Sequence, residues 1–324
     1  MEARAYWTVA PREGELRTEP LRVPGPDEVL IRALASGISH GTELLVHRHE
    51  VPDEARHLVR APFQVGELPG PVKFGYLSVG LVEDGPDKLL GRRVFCLHPH
   101  QDRYVVPAAA VVEVPEEVPT SRAVLAGLVE TAVNALWDAG PRLGDRVAVI
   151  GAGPLGLSVT ILLTRFPLSR LQMIDVDPGR VALADALGVP LVAPDHAEED
   201  CDLVFHASAS EGGLATALRI LGHEAEVIEL SWYGEPPRVP LGAQFHGRRL
   251  TIRSSQVGTV SPARAARRTS ADRLALALDA LADPRFDALI GPPVAFEDLP
   301  ALMADLDAGR PAPPCPVVVY PQED

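Results

Sequence analysis

The segment "VAVIGAGPLGLSV" places Gly151, Gly153 and Gly156 in G-x-G-x-x-G spacing, directly behind a β-branched run and at the start of an apolar helical stretch. The first glycine allows a strand to turn sharply into a helix. The second lets the backbone approach a pyrophosphate, and the third lets helix and strand pack closely. Pro154 and Leu155 open the helix, whose unpaired N–H groups then face an anion. The next strand is predicted to end at Asp175, nineteen residues after Gly156. A carboxylate there accepts hydrogen bonds from both hydroxyls of a ribose and repels a 2′-phosphate, so the expected cofactor is NAD, with NADP less favoured. Arg180 weakens that preference by placing a positive charge nearby. FAD suits the position less well, since its fingerprint usually lies near the start of a chain.

The sequence around this motif alternates strand and helix. Strands are predicted over Arg146–Ile150, Leu171–Asp175, Asp202–Phe205, Glu226–Leu230 and Leu250–Arg253, and helices over Pro154–Arg165, Pro178–Leu187 and Leu214–Leu221. Such alternation implies a parallel, doubly wound α/β sheet covered on both faces. Residues 1 to about 120 differ: short β-branched runs over Val29–Leu34, Tyr76–Val82, Arg93–Leu97 and Val111–Val114 suggest a small all-β body. The tail is mixed, with helices near Ala271–Leu281 and Leu299–Leu306 and a last strand over Pro316–Tyr320, and is expected to fold back on the first region.

A length of 324 residues fits two domains. The formal charge of −14 argues against nucleic acid as a partner. The N-terminus lacks the pattern of a signal peptide and no apolar run is long enough to span a membrane, so a cytoplasmic location is expected. Three widely spaced cysteines, Cys96, Cys201 and Cys315, argue against a disulfide framework.

Several further segments support a family assignment. "PGPDEVLIRALASGIS", "FGYLSVGLVE", "LVETAVNALWDAGPRLGDRVAVIGAGPLGLSV", "IDVDPGRVALADALGV", "DLVFHASAS" and "LTIRSSQVG" together resemble the medium-chain dehydrogenase/reductase superfamily over nearly the whole chain. In detail, "SGISHGTE" and "SSQVG" are most similar to the branch containing bacteriochlorophyllide hydroxyethyl dehydrogenase, which oxidises a secondary alcohol to a ketone. The resemblance implies a GroES-like β-barrel catalytic domain over residues 1–122 and 259–324. A Rossmann domain over 123–258 would be inserted into it, with the active site in the cleft between them. It also implies a small-molecule alcohol or ketone substrate and a homodimer or homotetramer. Ser255, Gln256 and Val257 would line the nicotinamide pocket.

Zinc-dependent members of the superfamily hold their metal with a Cys in "GICGTD", a His in "GHE" and a later Cys or Glu. Here the cysteine position falls on Ser39 counting forward from "GI", or on His40 counting back from "GTE"; Tyr76 replaces the histidine and Leu77 the following glutamate. Glu130 alone stands where the resemblance places a third ligand. Serine and tyrosine hydroxyls must lose a proton to bind zinc, so no catalytic zinc is expected. Three scattered cysteines also cannot supply a four-cysteine structural zinc site.

A zinc-free dehydrogenase still needs a group to take the hydroxyl proton and a donor to orient the oxygen. Tyr76 is the candidate donor, because the family histidine at its place faces the reacting oxygen. His40 is a candidate base, with Ser39 or Thr42 relaying the proton, and Glu130 is a second candidate. Glu43 is expected to orient the "SGISHGTEL" turn. Cys96, His98 and His100 in "CLHPH" share a strand period, which opens a metal or substrate-edge reading beside a plain surface one. His47, His49 and Glu50 are expected to be a solvated segment, and His206 a packed or cofactor-edge histidine. The leading reading is a zinc-independent, NAD-linked interconversion of a secondary alcohol and a ketone. An NAD(P)H-dependent enoyl or quinone reductase and a non-catalytic dinucleotide-binding protein are the alternatives.

Overall fold

The structure, a computed structural model, describes residues 1–322, which form two compact units. One comprises Met1–Gly127, Leu278–Ala282 and the C-terminal stretch from Ile290; the other comprises Leu128–Ala277 and Asp283–Leu289.

The second unit is built on a six-stranded sheet in the order Leu191–Val192, Arg170–Ile174, Arg146–Ile150, Cys201–His206, Leu221–Glu229, Thr251–Ser254, with every neighbouring pair parallel. Arg146–Ile150 takes a central place because Val147–Ile150 is uninterrupted apolar sequence and is buried throughout. The helix Pro154–Leu163 is buried from Gly156 to Leu163, as an internal helix must be, and its two hydroxyls, Ser158 and Thr160, donate to the Pro154 and Gly156 carbonyls of the helix itself. The chain winds outward in both directions from Arg146–Ile150. The connections therefore diverge between that strand and Cys201–His206, opening a crevice at their carboxyl ends. This is the doubly wound Rossmann sheet expected from the glycine motif.

The first unit is the GroES-like β body. Its hub is Glu28–Gly37, which pairs antiparallel with Ser78–Asp84, Arg103–Pro107 and Val317–Val319. A second sheet joins Glu13–Pro20, Glu2–Ala10, Val72–Lys73 and Val65–Gly66. The core beneath the hub strand holds Val29, Ile31, Ala33, Tyr104, Val106, Phe296, Leu299 and Met303.

The structure differs from the sequence reading in four places. The strand pair Glu2–Ala10 and Glu13–Pro20 was not anticipated, because "EGELRTEP" is polar and half-exposed along its length. "SGISHGTEL" is more than a turn: Ser39 caps a helix over His40–His47. His47 is not solvated but 1% exposed, its Nδ1 lying 3.4 Å from the Tyr6 hydroxyl. Finally, the units divide at Gly127 and Leu278, against 122 and 259 in the sequence reading, since the buried side chain of Arg273 binds residues 257–259 to the helix Ala126–Ala139.

Candidate functional sites

In the second unit the glycine loop lies at the crevice. Gly151 has a φ of 100°, and a Cβ there would come within 2.9 Å of the Ser208 backbone nitrogen. A Cβ on Gly156 would stand 1.8 Å from the Gly151 carbonyl oxygen, so helix and strand approach as only glycine permits. Gly153, the N-cap of the helix begun by Pro154 and Leu155, would meet nothing within 4 Å. That open face at a helix N-terminus suits a phosphate group. The Asp175 carboxylate accepts hydrogen bonds from the Ala152 N–H at 2.6 Å and the Asp177 N–H at 2.9 Å, which fixes it beside the loop. Each oxygen keeps lone-pair capacity for a ribose hydroxyl. Arg180 pairs with Asp177 at 3.3 Å, so its charge is partly answered within its own turn. These residues fit a dinucleotide.

The loop after Thr251–Ser254 is tethered. Ser255 Oγ donates to Asp138 at 2.6 Å, the Gln256 side-chain oxygen accepts from the Gly258 N–H at 2.6 Å, and the Val257 carbonyl accepts from Arg273 at 2.5 Å. Arg273 is only 2% exposed and also donates to Glu130 at 3.0 Å and Asn134 at 2.6 Å. Glu130, Asn134 and Asp138 recur every four residues and so share one helix face. Burial raises the Glu130 carboxyl, and the Arg273 guanidinium opposes the rise. Glu130 is thus committed to an ion pair that holds the loop. Arg273 was missed in the sequence; its one signal is an arginine breaking the apolar stripe of the helix Ser270–Ala280.

In the first unit a buried polar chain runs behind Tyr76. Glu43, 4% exposed, accepts from the Ser39 N–H at 2.8 Å and pairs with His100 Nε2 at 2.8 Å. His100 Nδ1 lies 2.7 Å from Ser36 Oγ, which lies 2.9 Å from the Tyr320 hydroxyl. With Glu43 ionised, one donor sequence satisfies every member: Tyr320 to Ser36, Ser36 to His100, His100 to Glu43. Gly75 makes room for it, since at its φ of 126° a Cβ would stand 2.9 Å from the His100 ring.

Burial pushes the neighbouring Tyr76 phenol up to about 12, the Glu43 charge adds to the rise, and hydrogen bonds from Ser39 and Thr42 oppose it. Tyr76, Ser39 and Thr42 are therefore together, and half-buried His40 is the first residue of the helix that Ser39 caps. Glu130 belongs to the other unit.

The "CLHPH" histidines do not gather. Cys96 ends a strand, while His98 stacks on Tyr104 with ring centroids 3.7 Å apart and on Phe63 at 5.7 Å. Burial depresses the His98 imidazole to about 3, so it is a neutral packed ring. His100 is the member with polar work.

A catalytic zinc of this fold needs three protein ligands drawn from Cys, His, Asp or Glu. Among the described residues no three such side chains converge. Ser39 or His40 stands at the first diagnostic position and Tyr76 at the second, and a phenol pushed up to about 12 resists the deprotonation that zinc binding requires. The residues present do not fit the metal.

No family model matches the sequence. Among curated proteins, human sorbitol dehydrogenase is 28% identical over 207 residues, spanning 55% of this chain and 57% of that protein. An L-threonine 3-dehydrogenase of Ruegeria pomeroyi is 26% identical over 246 residues, spanning 68% of this chain and 71% of its own. A zinc-type alcohol dehydrogenase-like protein of Haemophilus influenzae is 23% identical, spanning 62% and 58%. The chain thus spans little more than half the length of the first of these relatives. Solved structures agree over nearly the whole chain. An alcohol dehydrogenase of Escherichia coli CFT073 complexed with NADH has a TM-score of 0.80 at 16% identity, covering 98% of this chain and 99% of its own. L-Idonate 5-dehydrogenase of Escherichia coli K-12 has a TM-score of 0.80 at 14% identity, covering 99% of each chain. With a doubly wound sheet whose sequence lies between the segments of a GroES-like body, the chain has the fold of these dehydrogenase structures, and its sequence is similar to curated members of the medium-chain dehydrogenase/reductase superfamily.

Proposed function

We propose that the protein is an NAD-linked oxidoreductase that interconverts a secondary alcohol and a ketone without zinc. The observation that carries this reading is the glycine loop with the Asp175 carboxylate bonded to the Ala152 N–H. That arrangement offers acceptors to an unphosphorylated adenine ribose and favours NAD over NADP. Nicotinamide, when bound, supplies hydride transfer.

The chain's own part is proton handling at the substrate oxygen. A phenol pushed up to about 12 is protonated at neutral pH, so Tyr76 is a hydrogen-bond donor that orients and polarises a carbonyl oxygen. As that oxygen gains charge in the reductive direction, Tyr76 is the group placed to give it a proton. Ser39 and Thr42, hydrogen-bonded to the phenol, then relay a proton to Tyr76 from His40. In the oxidative direction the same path runs backward: Tyr76 takes the hydroxyl proton and passes it through Ser39 and Thr42 to His40, the base of the segment. Burial and the Glu43 charge keep Tyr76 in its protonated form, and Glu43, itself held by His100, fixes the backbone at Ser39. In this reading Glu130 positions the nicotinamide loop and does no proton transfer.

The test is formation of NADH from NAD and a panel of secondary alcohols by the purified protein, with metal content measured in parallel. Turnover is expected to survive exhaustive chelation. Tyr76→Phe is expected to lower kcat by about 10²–10³-fold, the usual effect of removing one oxyanion donor, with a smaller change in KM. Stoichiometric zinc whose removal abolishes turnover would sink the zinc-independent reading. Hydride transfer confined to enones or quinones would replace the alcohol reading.

A further inference from the structure

A second buried network lies in the second unit, at the carboxyl ends of the strands on the far side of the glycine loop from Asp175. His206 ends its strand opposite Ile150, the residue before Gly151, and opposite Glu229 on the other side. It is fully buried. Its Nδ1 lies 2.7 Å from Glu229 Oε2 and its Nε2 2.7 Å from Ser208 Oγ. Glu229 also accepts from the Tyr233 hydroxyl at 3.0 Å and the Ser231 N–H at 2.9 Å. Burial alone would raise the Glu229 carboxyl, but the bonds from His206, Ser231 and Tyr233 hold it below its ordinary value, and it is ionised.

The proton positions then follow in sequence. An ionised Glu229 takes the Nδ1–H of His206, so in the neutral ring Nε2 is an acceptor. Ser208 must donate its only hydroxyl proton to that nitrogen. Ser210 Oγ accepts from the Gly213 N–H at 3.0 Å and lies 2.9 Å from Ser208 Oγ, so the Ser210 proton goes to Ser208. Both hydroxyl protons are spent inside the cluster, and half-buried Ser208 keeps one lone pair and no proton for a ligand. Such a surface suits a ligand donor, such as a sugar hydroxyl, and rejects a phosphate oxygen, which brings no proton. A Cβ on Gly213 would stand 2.2 Å from Ser208 Oγ and 2.6 Å from His206 Nε2, so glycine is needed to admit the network.

The place in the fold says which sugar. Asp175 lies in the half of the sheet that takes the adenylate part of a dinucleotide, and Cys201–His206 begins the other half, which takes the second nucleotide. The Ser208 backbone packs on Gly151, at the boundary between the two. We propose that Ser208 accepts a hydrogen bond from the ribose on the nicotinamide side of the dinucleotide, with Glu229 setting its polarity through the His206 tautomer. Ser208 is the contact residue; His206 and Glu229 are positioning residues. The inference rests on the dinucleotide reading given above.

Calorimetric titration of the full chain with NAD, ADP-ribose and ADP separates the two. NAD and ADP-ribose carry the second ribose, and ADP does not. Ser208→Ala is expected to weaken NAD and ADP-ribose by about tenfold each, as for one hydrogen bond, and to leave ADP unchanged. Glu229→Gln, which removes the anion that selects the tautomer, is expected to give the same ligand-selective loss. Equal affinity of both variants and the parent for all three ligands would overturn the proposal while leaving the dinucleotide reading intact. Loss of ADP affinity in parallel with NAD would overturn it too, by showing a purely structural role. Failure of the parent protein to bind any of the three would overturn the dinucleotide reading itself, and this inference with it.

Discussion

Replacing Glu43 tests whether the chain behind Tyr76 is connected as described. Glu43 is 4% exposed and is the sole anion in a sequence of donors that all point toward it. In Glu43→Ala the Ser39 N–H and the His100 Nε2–H both lose their acceptor. Each buried donor left unmade costs about 1–3 kcal/mol, so the variant should lose about 3–5 kcal/mol. Glu43→Gln should be far milder. Its oxygen still serves Ser39, and its amide faces His100, which shifts its proton to Nδ1 and reverses the bond to Ser36. Two charge-assisted bonds become neutral ones, a loss of about 1–2 kcal/mol. Urea unfolding of the full chain, followed by circular dichroism, reads both. Because the Glu43 charge helps to raise the Tyr76 phenol, Glu43→Gln should also titrate Tyr76 at lower pH than the parent. Ultraviolet tyrosinate absorbance, with Tyr76→Phe as the blank, measures that shift. Equal stability of the Ala and Gln variants, or an Ala cost below about 1 kcal/mol, would refute the network.

Three further outcomes are expected. His98 titrates at about 3 when folded and near 6.5 when unfolded, so the unfolded chain binds the extra proton between those values and stability falls as pH drops through that window. Between pH 7 and pH 5 the loss is about 2 kcal/mol, and His98→Phe, which keeps the stack on Tyr104, should remove that share of the change in urea midpoint. Asp175→Asn removes the charge that repels a 2′-phosphate and should move the NADH-to-NADPH affinity ratio by about tenfold or more toward NADPH, read by fluorescence titration. Arg273→Met leaves the buried Glu130 without its counter-ion and should cost about 3–5 kcal/mol in urea unfolding, part of which Glu130→Gln in the same chain should recover.

The sequence disclosed what is local. The glycine loop, its strand, its helix and Asp175 lie within one stretch of about thirty residues, the size of a βαβ unit, and the chemistry of a phosphate cradle requires that spacing. The polar networks are the opposite case. Glu43 and His100 are 57 residues apart, Glu130 and Arg273 are 143 apart, and Ser36 and Tyr320 are 284 apart. No periodicity reports a contact of that range. Glu130 accordingly stood as a ligand or base candidate, and the period of "CLHPH" left metal, substrate-edge and surface readings open. The strand stops at Cys96, so only His100 turns to the carboxylate while His98 enters an aromatic stack.

The same long-range contacts decide what a missing metal ligand means. A lost ligand usually leaves a buried acid or base with nothing to bind, and such a group costs several kcal/mol. Here Glu43 is answered twice, by the Ser39 N–H and by His100, and the carboxylate has a complete set of partners without a cation. His100 has its own second partner in Ser36, which in turn is answered by Tyr320 from the returning C-terminal strand. The residues at the two ligand positions, Ser39 or His40 and Tyr76, are therefore not isolated losses on an otherwise metal-ready frame. They stand beside a hydrogen-bonded set in which Glu43, His100, Ser36 and Tyr320 are all answered, and the Glu43 charge adds to the burial that keeps the Tyr76 phenol protonated. A donor held in that state is what a carbonyl oxygen needs when no metal polarises it.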